Sequence, residues 1–240
     1  MSATTAHQEV EPGHSPRWAS VHPALPYVLP FAVFFGLLLS ADYLHPILGA
    51  WESPFRVTVL ALVLWIFSRD VIDLRIRRVL GSLLMGIAVF AIWIGPDLLI
   101  PGYRQHWLFQ NQLMGTLKSS IPEDIRQNAM VLIFRAIRAV LLVPIIEELF
   151  WRAWLLRWLV SPNFQSVPLG TYSASAMWIS AILFASEHGP YWEVGLIAGL
   201  LYNYWMFKTR SLGDCIFAHA VTNGILSLFV VTTGRWEYWL

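Results

Sequence analysis

The chain has 240 residues, of which 57% are hydrophobic and only 13% carry a charge. About 25% of the residues of an ordinary soluble domain are charged, so this composition excludes a typical soluble protein and indicates an integral membrane protein. The net charge of +1 excludes an electrostatic case for nucleic-acid binding. The single cysteine, Cys215, excludes an intrachain disulfide framework and a thiolate metal cluster.

The first segment, 1–22, is polar, contains Pro12 and Pro16, and is predicted to be a disordered tail. It lacks the basic start and the cleavage site of a signal peptide, so the first apolar run is expected to remain as a membrane anchor. The remainder divides into N-terminal transmembrane helices within 23–120 and a helical core within 121–235.

Seven apolar runs approach the roughly 20 residues that a helix needs to cross a bilayer. They lie near 26–44, 55–67, 79–100, 141–160, 172–187, 192–207 and 212–231. The predicted fold class is therefore an all-α polytopic transmembrane helix bundle with about seven spans, within a range of six to eight. Ser120 and Glu123 form a capping box that predicts a helix start ahead of the fourth run.

Basic residues in short loops indicate the orientation of the bundle. They follow the second and sixth runs, at Arg69, Arg75, Arg77, Arg78, Lys208 and Arg210. Such residues concentrate on the cytoplasmic side of a membrane, so the N-terminus is expected inside and the C-terminus outside. The predicted location is the bacterial inner (plasma) membrane, which the chain crosses several times.

Three charged residues interrupt the fourth apolar run, and a charge at the centre of a bilayer costs several kcal/mol. Glu148 and Arg152 are four residues apart, share one helix face and are expected to pair. Glu147 lies about 100° around the helix from Glu148, so only one of the two acids can be matched to Arg152. Glu147 is therefore the candidate for a free carboxyl able to act as a general acid or base.

Two further pairs of residues share a face at four-residue spacing. Phe184 and His188 close the fifth run, while His219 and Asn223 lie within the seventh. Lipid offers these polar groups no partners, so they are expected to meet the buried acids around one cavity. That cavity is expected partway into the bilayer, open toward the cytoplasm, with the turn at His188 drawn inward.

These residues carry a resemblance to a known family. The chain resembles the CAAX-protease and bacteriocin-processing (CPBP) family, the type II CAAX prenyl endopeptidases and their bacterial relatives. The family has three motifs, and the chain has all three in the same order. Two Glu followed by Arg are Glu147, Glu148 and Arg152, Phe followed by His is Phe184 and His188, and His followed by Asn is His219 and Asn223. The resemblance covers residues 129–231, approximately. The sequence of residues 143–159 is also similar to that of a bacterial branch of the family associated with exosortase-type protein sorting.

The resemblance implies an intramembrane glutamic endopeptidase whose substrate is a membrane-associated protein or peptide. In the family mechanism, the residues matching Glu147 and His188 activate a water molecule, and those matching His219 and Asn223 stabilise the oxyanion. The residues that support the site are here Glu148, Arg152 and Phe184.

The family has also been described as metalloproteases, which leaves a zinc site as an alternative. Glu147, His188 and His219 would supply the three protein ligands of a catalytic Zn²⁺. The HExxH pattern of common zinc proteases is absent, so a reaction without a metal or other cofactor is expected.

Two other functions compete with the endopeptidase. The same fold could act without catalysis as a membrane immunity factor, scaffold or chaperone. A proton-coupled transporter would also place Glu and His inside the membrane, but the chain shows few spans and no repeated pair of broken helices.

Overall fold

The computed structural model describes residues 22–117 and 119–239, and within them the chain forms a bundle of seven long helices without a β-sheet. In chain order these are α1 (Leu25–Leu39), α2 (Ala41–Ser68), α3 (Val79–Leu99), α4 (Ala129–Trp158), α5 (Ala174–Ser186), α6 (Trp192–Thr209) and α7 (Leu212–Thr233). The all-helical fold class is confirmed. The predicted tail at 1–22 falls outside the described residues except for its last position.

The bundle has the surface of an integral membrane protein. Helices α2, α3, α4 and α7 are long and apolar enough to cross a membrane, and α1 and α5 are shorter apolar helices. Large apolar side chains face outward, among them Leu99 at 81% and Trp65 at 64% exposure. A soluble protein rarely exposes so many large apolar groups, and lipid accounts for them.

Helix α4 begins later than the capping box at Ser120 and Glu123 predicted. The residues Glu123–Ile125 form only a single 3₁₀ turn. The helix starts at Ala129, where the side chain of Asn128 accepts hydrogen bonds from the N–H groups of Met130 and Val131. Asn128 satisfies free donors of the first turn, so the expected helix start, with Ser120 as the cap, was wrong by eight residues.

The two basic loops meet at one end of the bundle, which we call the basic end and define as residues 69–78 and 208–211. The carboxylate of Asp214 accepts hydrogen bonds from the N–H groups of Arg77 and Arg78, at 2.7 and 2.9 Å. The Ser211 hydroxyl donates to the carbonyl of Arg75 at 3.4 Å. The two loops therefore share one side of the membrane, as the sequence predicted.

Three segments meet at the opposite end, which we call the far end and define as residues 100–128, 187–191 and 234–239. The Arg104 guanidinium donates to the carbonyl of Pro190 at 2.6 Å. The Tyr238 hydroxyl donates to Asp97, the last acidic residue of α3, at 3.0 Å. The N–H of Ser120 donates to the Trp239 carbonyl at 2.7 Å. These bonds join the long loop, the α5–α6 turn and the C-terminal segment.

Small residues allow α5 and α6 to approach closely. Gly195 and Gly199 are four residues apart on α6, the spacing that permits close packing of membrane helices. A Cβ at Gly199 would lie 3.2 Å from the Cα of Ala181, and one at Gly195 would lie 3.3 Å from the Cβ of His188. This close approach holds the α5–α6 turn against the side of α6.

We expect Gly213→Ala to lower the free energy of unfolding by about 1–3 kcal/mol, as overpacking does. A Cβ at Gly213 would press on the carbonyl oxygen of Arg75 and lie 2.8 Å from the carbonyl carbon of Leu74. Gly36→Ala is the matched control, since a Cβ there meets nothing within 4 Å. Denaturation in detergent micelles measures both variants, and equal stabilities would contradict the prediction.

Candidate active site

Helix α4 carries the two adjacent acids on a short α-helical stretch between two wider turns. The segments Arg138–Leu142 and Leu149–Leu155 are π-helical, with Glu147 and Glu148 between them. Such π-helical turns are frequent at functional sites. Both acids are buried, with Glu147 at 6% and Glu148 at 0% exposure.

Glu148 is the centre of a buried group of charges. One of its oxygens accepts hydrogen bonds from Arg152 at 3.3 Å and from Nδ1 of His219 at 2.9 Å. The guanidinium of Arg152 lies 4.7 Å above the ring of Phe184 and 5.3 Å from that of Tyr202. The predicted pairing of Glu148 with Arg152 is present, and His219 joins it from a different helix.

Glu147 stands apart from this charge group. Within the described part of the chain it forms no ion pair, and its buried Oε2 atom has no hydrogen-bond partner. It lines a cavity of about 210 Å³ together with His188, His219 and Asn223. Phe184 lines the same cavity. The structure therefore brings the predicted residues of three separate helices to one space.

His188 is held with one ring nitrogen engaged. Its Nδ1 lies 2.7 Å from the carbonyl oxygen of Phe184, and a carbonyl can only accept, so Nδ1 carries the proton. In the neutral ring Nε2 is then an acceptor. The ring of Trp93 contacts that of His188 edge-on, with 5.1 Å between centroids.

The turn at His188 follows an unusually short apolar helix. Helix α5 has 13 residues, about 20 Å at 1.5 Å per residue, whereas the hydrocarbon core measures about 30 Å. The helix is therefore too short to cross the core by itself, and the far-end loop and C-terminal segment contact the turn that follows it. The inward position of the turn at His188 stays a prediction.

His219 and Asn223 lie one turn apart on α7. The ring of His219 stacks on that of Tyr202 with 5.1 Å between centroids, while Glu148 holds its Nδ1. A carboxylate only accepts, so Nδ1 of His219 carries the proton of this hydrogen bond. Asn223 Nδ2 donates to the Ala139 carbonyl at 2.8 Å, which fixes the amide at the cavity wall.

Sequence reasoning missed several residues of the cavity wall. Glu187, Tyr202 and Trp93 all line it. Glu187 is a partly buried acid whose two carboxylate oxygens are shielded from solvent, and its surroundings include Glu147 and the indole of Trp151. An acid directly before His188 at the end of an apolar helix was a usable signal. Tyr202 and Trp93 gave no usable signal in the sequence, since aromatic residues are common throughout the chain.

The cavity extends in a direction that the sequence did not predict. Its wall continues past Glu147 to Arg135 on α4 and to Tyr238 and Trp239 at the far end. No residue of the basic end lines it. The expected opening toward the basic, cytoplasmic end is therefore not what the structure shows.

The side chains considered for zinc do not form a ready metal site. Among the described residues, no three His, Cys, Asp or Glu side chains lie close enough together to hold a metal ion. One nitrogen of His188 is bound to Phe184, and one of His219 is bound to Glu148. Nε2 of each ring remains, and histidine ligands of metal sites commonly have their other nitrogen bound in this way, so the alternative zinc ligands Glu147, His188 and His219 stay a prediction.

Comparison with known proteins gives one match, at residues 129–225, to the family model described as Rce1-like, type II CAAX prenyl endopeptidase Rce1-like. No curated protein and no solved structure matches the chain. The matched residues include α4, α5, α6 and most of α7, and all seven predicted site residues. That family is one of proteases, and the match covers 97 of the 240 residues.

Proposed function

We propose that this chain, whose residues 129–225 belong to the Rce1-like family of type II CAAX prenyl endopeptidases, is an intramembrane endopeptidase. It hydrolyses a peptide bond of a membrane-associated protein or peptide. The observation that carries the proposal is the contrast between two neighbouring acids. Glu148 forms ion pairs with Arg152 and His219 through its Oε1 atom, whereas Glu147 faces a cavity without an ion-pair partner among the described residues.

Glu147 and His188 serve as the water-activating pair. A water molecule between them donates one hydrogen to the Glu147 carboxylate and the other to Nε2 of His188, whose Nδ1 is already bound. As Glu147 takes its proton, the water oxygen bonds to the carbonyl carbon of the substrate. The same proton then passes from Glu147 to the leaving nitrogen, the C–N bond breaks, and a carboxylic acid and an amine are formed.

His219 and Asn223 stabilise the negative oxygen of the intermediate. Each is fixed by a hydrogen bond on the side away from the substrate, His219 by Glu148 and Asn223 by the Ala139 carbonyl. Asn223 keeps a second N–H for the substrate oxygen. His219 offers an N–H at Nε2 when its ring is protonated. Donors fixed in advance at a developing oxyanion provide much of the rate enhancement in acyl transfer. Glu148 and Arg152 act indirectly, by holding His219.

Glu147→Gln is expected to abolish cleavage, because the amide cannot accept the proton of water. Loss of a general base slows a reaction by about 10²–10⁴-fold, so products would disappear from cells. Proteomic comparison of membrane-protein fragments in cells carrying wild type or variant measures this. Glu123→Gln is the matched control, since its side chain is 88% exposed. Normal cleavage products in cells with Glu147→Gln would refute the proposed function. If no cleavage occurs and the protein instead binds and protects a partner protein, a scaffold or immunity role would be favoured.

Cleavage by the purified protein is expected to continue after a strong chelator has removed metal ions. The proposed reaction uses only Glu147, His188, His219 and Asn223, and the described residues offer no ready metal cluster. Fragment formation in detergent, measured with and without chelator, tests this. Loss of cleavage that added Zn²⁺ restores would instead support the zinc alternative.

A further inference from the structure

The basic end of the bundle carries unneutralised positive charge. Four exposed cations there form no ion pair within the described residues: Arg77, Arg78, Lys208 and Arg210. Arg69 and Arg75 pair only with the neighbouring Asp70 and Asp73. This end therefore presents a net positive surface to whatever lies on its side of the membrane.

The far end is different, because its loop arginines are matched by acids. Arg126 pairs with Glu123 at 3.3 Å and Arg235 with Glu237 at 2.8 Å. Arg104 lies between Asp97 at 2.9 Å and Glu193 at 2.7 Å. Arginine and lysine of short loops concentrate on the cytoplasmic side, and acidic neighbours change this little. The basic end carries six of them and the far end four, so the basic end is cytoplasmic and the far end extracytoplasmic.

A packed apolar layer separates the acid pair from the basic end. Its members are nearly fully buried and come from α4, α6 and α7: Leu149, Ala153, Leu156, Met206, Leu212, Cys215 and Ile216. Val71 and Ile72 of the basic loop pack against this layer. None of these residues lines the cavity, so the layer closes the bundle beneath the site.

The cavity extends away from this layer, toward the far end. On α7 its wall begins at His219, about 10 Å from the start of the helix, and continues through Asn223 to Ser227 and Leu226. On α4 it runs from Glu147 to Arg135. His219 is only 6% exposed, whereas Leu226 and Arg135 are partly exposed. Tyr238 and Trp239 of the C-terminal segment are only 5% and 3% exposed, so the partly exposed wall lies on α4 and α7 beside this cover.

From this geometry we infer that the active-site cavity opens on the extracytoplasmic side of the membrane. The substrate is the extracytoplasmic juxtamembrane segment of an exported or membrane-anchored polypeptide. The inference about the substrate rests on the proposed endopeptidase activity. The inference about the side on which the cavity opens does not depend on that activity. The twelve residues from Arg135 to Glu147 span about 18 Å, which about five or six residues of extended polypeptide would cover. The cut thus lies about that far inside the extracytoplasmic boundary of the substrate.

Cysteine accessibility tests the opening without any cleavage assay. The native Cys215 is fully buried, so single reporters can be added: Leu226→Cys in the cavity, Thr233→Cys at the far end and Arg77→Cys at the basic end. A membrane-impermeant maleimide is applied to intact cells (without an outer membrane barrier) and to inside-out vesicles. We expect Leu226→Cys and Thr233→Cys to react in intact cells, and Arg77→Cys only in inside-out vesicles.

Other labelling patterns overturn the inference. Reaction of Leu226→Cys together with Arg77→Cys in inside-out vesicles would place the opening in the cytoplasm. Failure of Leu226→Cys to react from either side, while Thr233→Cys reacts, would show that the cavity has no aqueous opening.

Cut-site mapping separates this inference from the proposed function. Fragments present with wild type and absent with Glu147→Gln are sequenced at their new ends. Cuts near the extracytoplasmic boundary of a membrane segment are expected. Cuts on the cytoplasmic side would refute the extracytoplasmic opening and leave the endopeptidase intact. An absence of any Glu147-dependent fragment would refute the endopeptidase, while the labelling result would still decide the opening.

Discussion

Arg152→Met is expected to lower the free energy of unfolding by about 3–5 kcal/mol, the cost of leaving a buried charge without its partner. Glu148 is 0% exposed and Arg152 is 1% exposed, and they share a hydrogen bond of 3.3 Å. Without the guanidinium, the carboxylate retains only His219. Methionine keeps much of the length of the side chain, so the loss of stability is caused by the missing charge rather than by a new cavity. Denaturation in detergent micelles measures it.

Removal of both charges is expected to recover most of this loss. The double variant Glu148→Gln with Arg152→Met leaves no buried ion, and a buried pair replaced by neutral groups of similar size is often neutral in stability. Arg75→Met is the surface control, since the Arg75 side chain is 81% exposed and its ion pair with Asp73 should contribute little to stability. If the double variant is as unstable as Arg152→Met, packing rather than charge explains the result.

Arg104→Gln is expected to lower kcat/KM for peptide cleavage by about 100-fold, the cost of a misplacement of about 1 Å at a catalytic site. Arg104 is 5% exposed and joins three elements: Asp97 on α3, Glu193 on α6 and the Pro190 carbonyl in the turn between α5 and α6. Pro190 is two residues from His188. Glutamine is too short to make all three bonds, so the turn should lose its anchor.

A chain of rings transmits this effect to His188. The Arg104 guanidinium lies 4.3 Å above the ring of Tyr191, which stacks on Trp93 with 6.0 Å between centroids. Trp93 in turn contacts His188. The expected change is therefore in kcat more than in KM, because the water-activating histidine moves while most of the cavity wall remains.

Two further variants separate positioning from general loss of fold. Arg104→Lys keeps the charge but not the fork of donors, so it should recover activity in part. Arg126→Gln, in the same loop region but on an exposed pair, should leave kcat unchanged. Rates are measured on the best-cleaved member of a pooled library of internally quenched decapeptides. A folded Arg104→Gln protein with normal kcat would contradict this role.

Hydropathy predicted the helices because lipid requires long apolar runs, but it could not place every break. The first run was predicted to continue to about residue 44, yet α1 ends at Leu39. The Ser40 hydroxyl donates to the Leu37 carbonyl at 3.0 Å, and the chain restarts at Ala41. Apolar residues continue on both sides of this turn, so the average hydropathy of the sequence gives no indication of the break at Ser40.

The site was predictable where partners share a helix. Glu148 and Arg152 are one turn apart, so periodicity alone indicates their contact. His219 reaches the same carboxylate from 71 residues away, which only the packing of α7 on α4 determines. Arg104 lies in a loop, and its partners Asp97 and Glu193 come from helices that no local pattern connects. The function of each residue in catalysis stays a prediction until the variants are measured.

The shortness of α5 has a consequence for the surrounding lipid. Trp178 and Ile182 on this helix are 52% and 55% exposed, so its outer face meets acyl chains directly. A helix of about 20 Å beside a bilayer of about 30 Å creates hydrophobic mismatch, which the membrane relieves by local thinning at a modest energetic cost. Thinned lipid on this flank would shorten the path that a polypeptide segment travels to reach His188. The rate of cleavage should therefore depend on acyl-chain length, and shorter lipids should favour it.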